Sequence, residues 1–154
     1  MVKAGKVSRR RSTSTTTRGV AFEDLTVGDI VNRGVPVARL DMRADQVAAL
    51  LLKGGGAVPV VDKTKQLLGV VSEHDLLLSL DEGQAWNTRQ AKDIMSGNPY
   101  SARTETNLST LVHVLTESDL MSVPVVNAQN RFVGVVTRRD VVQAALRQRK
   151  GRSR

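Results

Sequence analysis

Apolar positions between residues 20 and 146 fall into amphipathic stripes and short runs, and the whole series occurs twice in the same order. In the later half Leu108, Leu111, Val112 and Leu115 recur at three- and four-residue intervals, which predicts a helix with one buried face. In the earlier half Val47, Leu50 and Leu51 keep that spacing, with Arg43 and Gln46 where leucines stand in the other copy. Two apolar runs follow each stripe: residues 58–61 and 67–71, then 123–126 and 132–136. A polar turn divides each pair (residues 62–66 and 127–131), which predicts a β-hairpin. A second helix is predicted to begin at Ser72 and again at Thr137. Pro59 and Pro124 lie near strand starts, where a missing N–H costs little.

The correspondence between halves extends to individual residues. Val58-Pro59-Val60-Val61-Asp62 recurs as Val123-Pro124-Val125-Val126-Asn127, an offset of 65. At the same offset, Leu68-Gly69-Val70-Val71-Ser72-Glu73-His74-Asp75 matches Val133-Gly134-Val135-Val136-Thr137-Arg138-Arg139-Asp140. Upstream, Val27-Gly28-Asp29-Ile30-Val31 matches Ala91-Lys92-Asp93-Ile94-Met95 at an offset of 64. Such internal repetition divides the chain into a first repeat (20–80), a connection carrying Gly83 and Trp86 (81–88) and a second repeat (89–146). The helices of one copy cannot easily cover both faces of its small sheet. Two copies stacked face to face would do so, leaving a cleft along the seam.

Composition refines this picture. Among 154 residues there are one Trp, one Tyr and two Phe, so Val, Leu, Ile and Ala must fill the interior, as in an α/β core. The absence of cysteine removes disulfides, thiolate metal sites and cysteine nucleophiles. His74 and His113 alone give little basis for a metal site. No apolar run approaches the roughly 20 residues that span a bilayer, and no secretory signal opens the chain, so a cytoplasmic protein without membrane contact is expected.

The net charge of +8 resides at the ends. Residues 1–20 carry six basic side chains and 147–154 five more, with no acid in either. Residues 21–146 hold 12 basic against 15 acidic residues. The tail 1–19 is expected to be disordered and basic, the tail 147–154 to be basic and to fray from 148 onward.

The blocks VPVVDKTKQLLGVVSEHDLL and VPVVNAQNRFVGVVTRRDVV, with the openings VGDIV and AKDIM, resemble tandem cystathionine-β-synthase (CBS) domains over residues 22 to 146. The resemblance implies an α/β fold of two pseudo-twofold-related repeats of β-α-β-β-α type, small sheets packed with helices. It implies a stand-alone regulatory module that is not an enzyme and has no catalytic cofactor. Such a module takes an adenine nucleotide (AMP, ADP, ATP or a related adenosyl ligand) between its repeats, pairs into a homodimer and signals to a partner protein, here unknown. On the matching stretches, Ser72, Asp75, Thr137 and Asp140 become candidate ribose or phosphate contacts.

The chemistry of these residue types is compatible with that role. A carboxylate can accept from paired ribose hydroxyls, and free N–H groups at a helix start favour an anion. The same Ser/Thr-x-x-Asp pattern also caps a helix, and the two roles can coexist. Arg138 and Arg139 fall at the start of a helix, where the dipole disfavours cations, so a bound phosphate is one explanation and solvation beside Asp140 another. His74 occupies the place of Arg139 in the first copy, as a weaker phosphate contact or an exposed residue. Ala57, Val58, Pro59, Ser122, Val123 and Pro124 are candidates to line an adenine pocket, the valines also being natural core residues. Residues 53–56 read as a helix end and flexible turn; they lack the phosphate-binding loop pattern. No nucleophile–base pair or metal cluster is discernible. Two other readings rest on the tails: weak nucleic-acid binding with the repeats as scaffold or dimeriser, and an organelle transit peptide in residues 1–19.

Overall fold

In the computed structural model, residues 20–54 and 56–151 are described. The readings placed on the tails lie outside them for residues 1–19 and 152–154. Two 3₁₀ turns, Phe22–Asp24 and Val27–Asp29, precede helix α1 (Ala44–Leu51), strands β1 (Ala57–Val61) and β2 (Leu67–Ser72), and helix α2 (Glu73–Asp81). The second series is α3 (Ala91–Ile94), β3 (Ser96–Gly97), β4 (Ala102–Arg103), α4 (Leu108–Glu117), β5 (Ser122–Val126), β6 (Phe132–Thr137) and α5 (Arg138–Gly151). The amphipathic stripes bury as their spacing requires: Val47 and Leu51 of α1, and Leu108, Leu111 and Leu115 of α4, lie in two cores. Each such side chain contributes about 1.5–3 kcal/mol on leaving water.

Both apolar pairs are antiparallel hairpins in matching register, with Val58 opposite Val71, and Val123 opposite Val136. The Pro59 carbonyl accepts from the Ala38 N–H on the outer edge of β1. Its absent N–H faces that same edge, so no bond to β2 is forfeited. The turns are duplicated in detail. Asp62 Oδ1 accepts from the N–H groups of Thr64 and Gln66, and Asn127 Oδ1 from those of Gln129 and Arg131. Lys65 and Asn130 adopt φ of 66° and 59° at equivalent places. Asn127 therefore does the work of Asp62 without its charge.

The openings of the repeats are exchanged. β3, from the second repeat, pairs with β2 of the first, Ser96 opposite Val70. Reciprocally, Asn32 of the first repeat pairs with Val135 of β6 through bonds of 2.9 and 3.0 Å. Leu25 and Val27 complete the core of the second hairpin, whereas Ala91 and Ile94 complete that of the first. Gly69 and Gly134 mark the crossings. A Cβ on Gly69 would stand 2.7 Å from the Ser96 carbonyl oxygen, and one on Gly134 would overlap the Asn32 carbonyl. At the pseudo-twofold axis the hairpin tips meet, Gln66 pairing with Arg131. The halves are thus joined by swapped openings and paired tips, while their cores remain two separate clusters.

One local expectation changes. Residues 148–151 are not frayed but continue α5, whose Arg149 and Lys150 sit in its last turn, where the dipole favours cations. The connection 81–88 is folded, Trp86 packing on the first core. The Ser79 hydroxyl is buried there and donates to Gln84 Oε1.

Candidate functional site

A cleft of about 610 Å³ opens on the seam. The first repeat contributes Gly56, Ala57, Pro59 and the start of α2. The exchanged opening of the second contributes Ser96 to Tyr100, and its hairpin supplies Leu120, Met121, Ser122 and Pro124. Assembly of both repeats is therefore needed to form it.

Ser72 and Asp75 stand in its wall, and the cap and the cleft share them. The Ser72 hydroxyl accepts from the Asp75 N–H at 3.2 Å, while Asp75 Oδ2 accepts from the Ser72 N–H and hydroxyl, both at 2.8 Å. This reciprocal capping box ends β2 and starts α2. Asp75 Oδ1 is left to accept from the Ser96 hydroxyl at 3.1 Å, across the exchange. That oxygen retains acceptor capacity toward a hydroxyl-bearing ligand. His74 is exposed on the same wall, with Glu73 beside it. Tyr100 and Met121, 46% and 63% exposed, offer apolar surface able to cover a flat ring.

Other sequence candidates lie elsewhere. Val58 and Val123, 1% and 0% exposed, point into the two cores, because strand alternation gives the cleft to their neighbours Ala57, Pro59, Ser122 and Pro124. Thr137 and Asp140 repeat the capping box at the start of α5, with Thr137 N–H and hydroxyl both 2.8 Å from Asp140 Oδ2. Arg138 departs from the phosphate expectation. Its Nε donates to the Leu120 carbonyl and its Nη2 to those of Leu115 and Ser118, at 2.8–3.1 Å. It closes the end of α4, where orphan carbonyls and the negative dipole end suit a cation. Its place at the start of α5 is thereby explained without an anion. Arg139 is exposed.

Sequence reasoning missed Ser96, Tyr100, Asp119 and Met121. Only the exchange of openings brings Ser96 to Asp75, and nothing in local periodicity announces it. Among the described residues no group of three or more His, Cys, Asp or Glu could hold a metal ion, and no helix is long and apolar enough to cross a membrane.

Comparison with known proteins places this geometry. The chloroplastic CBS domain-containing protein CBSX2 of Arabidopsis thaliana is 30% identical, matching 79% of this chain and 63% of its own length. An uncharacterized Methanopyrus kandleri protein, MK0525, is 23% identical with the same coverage. The chain thus spans just under two thirds of these relatives. The crystal structure of CBSX2 in complex with AMP superposes with a TM-score of 0.70 at 32% identity, covering 79% of this chain and 96% of that one. The cytosolic domain of the Mg²⁺ channel MgtE in complex with ATP gives 0.67 at 25%, covering 79% and 49%. CBS-pair proteins are generally regulatory modules, although the motif also occurs beside a catalytic domain, as in an inosine-5′-monophosphate dehydrogenase of Methanocaldococcus jannaschii. The sequence model of the CBS domain matches residues 27–82 and again 91–147, and the chain belongs to the CBS domain family as a tandem pair.

Proposed function

We propose that the chain is a ligand-sensing module that holds an adenosine-based ligand in the seam cleft and reports its presence to a partner protein. The carrying observation is that Asp75, from the first repeat, and Ser96, from the second, meet by a hydrogen bond in the wall of one cleft. A ligand there touches both halves and can alter how they sit together. Relatives solved with AMP and with ATP support a ligand built on adenosine. The α2 and α5 helices expose Leu77, Leu80, Val142 and Leu146, and we assign this apolar surface to the homodimer contact.

Thermal melting with AMP, ADP, ATP and S-adenosylmethionine tests the reading. A ligand at one hundred times its Kd stabilises by about 2.7 kcal/mol, an upward shift of roughly 5–10 °C for a chain of this size. The Asp75→Ala variant should remain folded by circular dichroism and lose the shift. Absence of a shift with all four compounds, or an undiminished shift in the variant, overturns the proposal.

A further inference from the structure

The acidic side chains in the cleft lining are accompanied by His74, and the Arg138 guanidinium behind Leu120 is spent on the carbonyls of Leu115, Ser118 and Leu120. Glu73, Asp75 and Asp119 line the cleft, and neither lysine nor arginine does so among the described residues. Asp75 is tied into the α2 cap and to Ser96, whereas Glu73 and Asp119 are exposed beside the opening. At this helix start the N–H groups of Ser72 and Asp75 are engaged within the capping pair, and Glu73 and His74 hold the first helical positions. The other half differs: the positions equivalent to Glu73 and His74 are Arg138 and Arg139. The acidity therefore belongs to this wall and is not a general property of the repeat.

We infer that this cleft selects adenosyl compounds whose 5′ substituent is uncharged or positive over 5′-mono- and polyphosphates. The inference rests on the reading of the cleft as a nucleoside site and names the class of nucleoside. Hydrogen bonding of ribose hydroxyls to Asp75 is indifferent to the 5′ substituent. Each added phosphate, however, brings negative charge toward Glu73 and Asp119 without a lysine or arginine in the lining to receive it. A sulfonium or ammonium group meets the opposite field, and a thioether can lie against Tyr100 and Met121. Relatives solved in complex with AMP and with ATP carry phosphate-bearing ligands, so the inference concerns the lining of this chain alone.

Backbone-amide NMR titration of the full chain separates this cleft from the other half. Amides of residues 96–98 and 120–122 report this cleft, and those of residues 32–34 and 138–140 report the equivalent region of the other half. Adenosine, 5′-methylthioadenosine and S-adenosylmethionine should move the first set with Kd values at least about tenfold below those of AMP and ATP. In the surface variant Glu73→Gln/Asp119→Asn that gap should close by about tenfold. AMP or ATP binding at these amides as tightly as adenosine overturns the selectivity and leaves the nucleoside site standing. A gap that persists in the double variant also overturns it, since the carboxylates would not be its cause. If none of the five compounds moves these amides at millimolar concentration, the nucleoside reading itself fails and the selectivity with it.

Discussion

Arg138 shows how a side chain with an unfavourable local setting can be satisfied at a distance. Its guanidinium serves the carbonyls of Leu115, Ser118 and Leu120, which lie 18 to 23 residues upstream. Arg138→Ala should cost about 1–3 kcal/mol in urea unfolding, the range for leaving such partly buried carbonyls unpaired, while Arg139→Ala, exposed, should change stability little. The capping boxes at Ser72 and Thr137 were legible because both partners sit within one turn. The partner of Arg138 was not, because only folding brings α4 to it. Asp62 offers a second residue-level test. Its carboxyl is held below the usual carboxylate value, first by the Thr64 hydroxyl, then by the Gln66 and Thr64 N–H groups and by the charge of Arg39. A lowered folded value means that its stabilisation is complete above the unfolded value of about 4 and is lost as pH falls through the folded one. Asp62→Asn should therefore flatten part of the acid limb of stability, measured as urea midpoints between about pH 5 and pH 2. Asn127 already shows that an amide can hold the same turn.

At the level of elements, periodicity identified both hairpins and the faces of α1 and α4, since burial of a stripe or an alternating strand is a local property. It did not identify where the openings pack. Val27-Gly28-Asp29 and Ala91-Lys92-Asp93 are recognisable as equivalents, yet their sequence is as compatible with their own hairpin as with the other. The glycines at the crossings carry that information, and only in hindsight. Gly134 leaves room for the Asn32 backbone and Gly69 for that of Ser96. Gly134→Ala should destabilise by about 1–3 kcal/mol through overpacking against a backbone carbonyl that cannot turn aside. Gly69→Ala, whose added methyl would stand farther from the Ser96 oxygen, should cost less, and thermal melts of the two variants compare them directly. The basic end of α5 was misjudged for a different reason. Arg, Gln and Lys lack apolar signal but are good helix formers, and cations at a helix end are favoured.

For the whole molecule, α2 and α5 leave Leu77, Leu80, Val142 and Leu146 between 53% and 67% exposed, with Leu77 and Val142 at equivalent positions of the two repeats. If these faces pair two copies, Leu77→Glu/Val142→Glu should convert a dimer to a monomer in sedimentation experiments and leave the fold intact by circular dichroism. A wild-type chain that sediments as a monomer at tens of micromolar would contradict the assignment. The part of the cleft visible in the sequence comprised Ser72 to Asp75 with Ala57 and Pro59 from the first repeat, and Ser122 and Pro124 from the second. The segment from Ser96 to Tyr100 depended on chain crossing, and so appeared only in three dimensions.

The crossing has a consequence for ancestry and synthesis. A polypeptide holding only one such unit would lack the strand and the apolar plug that its hairpin requires, and would have to borrow them from a sister molecule. Its folding would then be bimolecular and would weaken on dilution. Tethering the two units on one chain turns that borrowing into an internal event at high effective concentration. During translation the first hairpin must nonetheless wait, incomplete, until the ribosome has delivered Ala91 and Ile94.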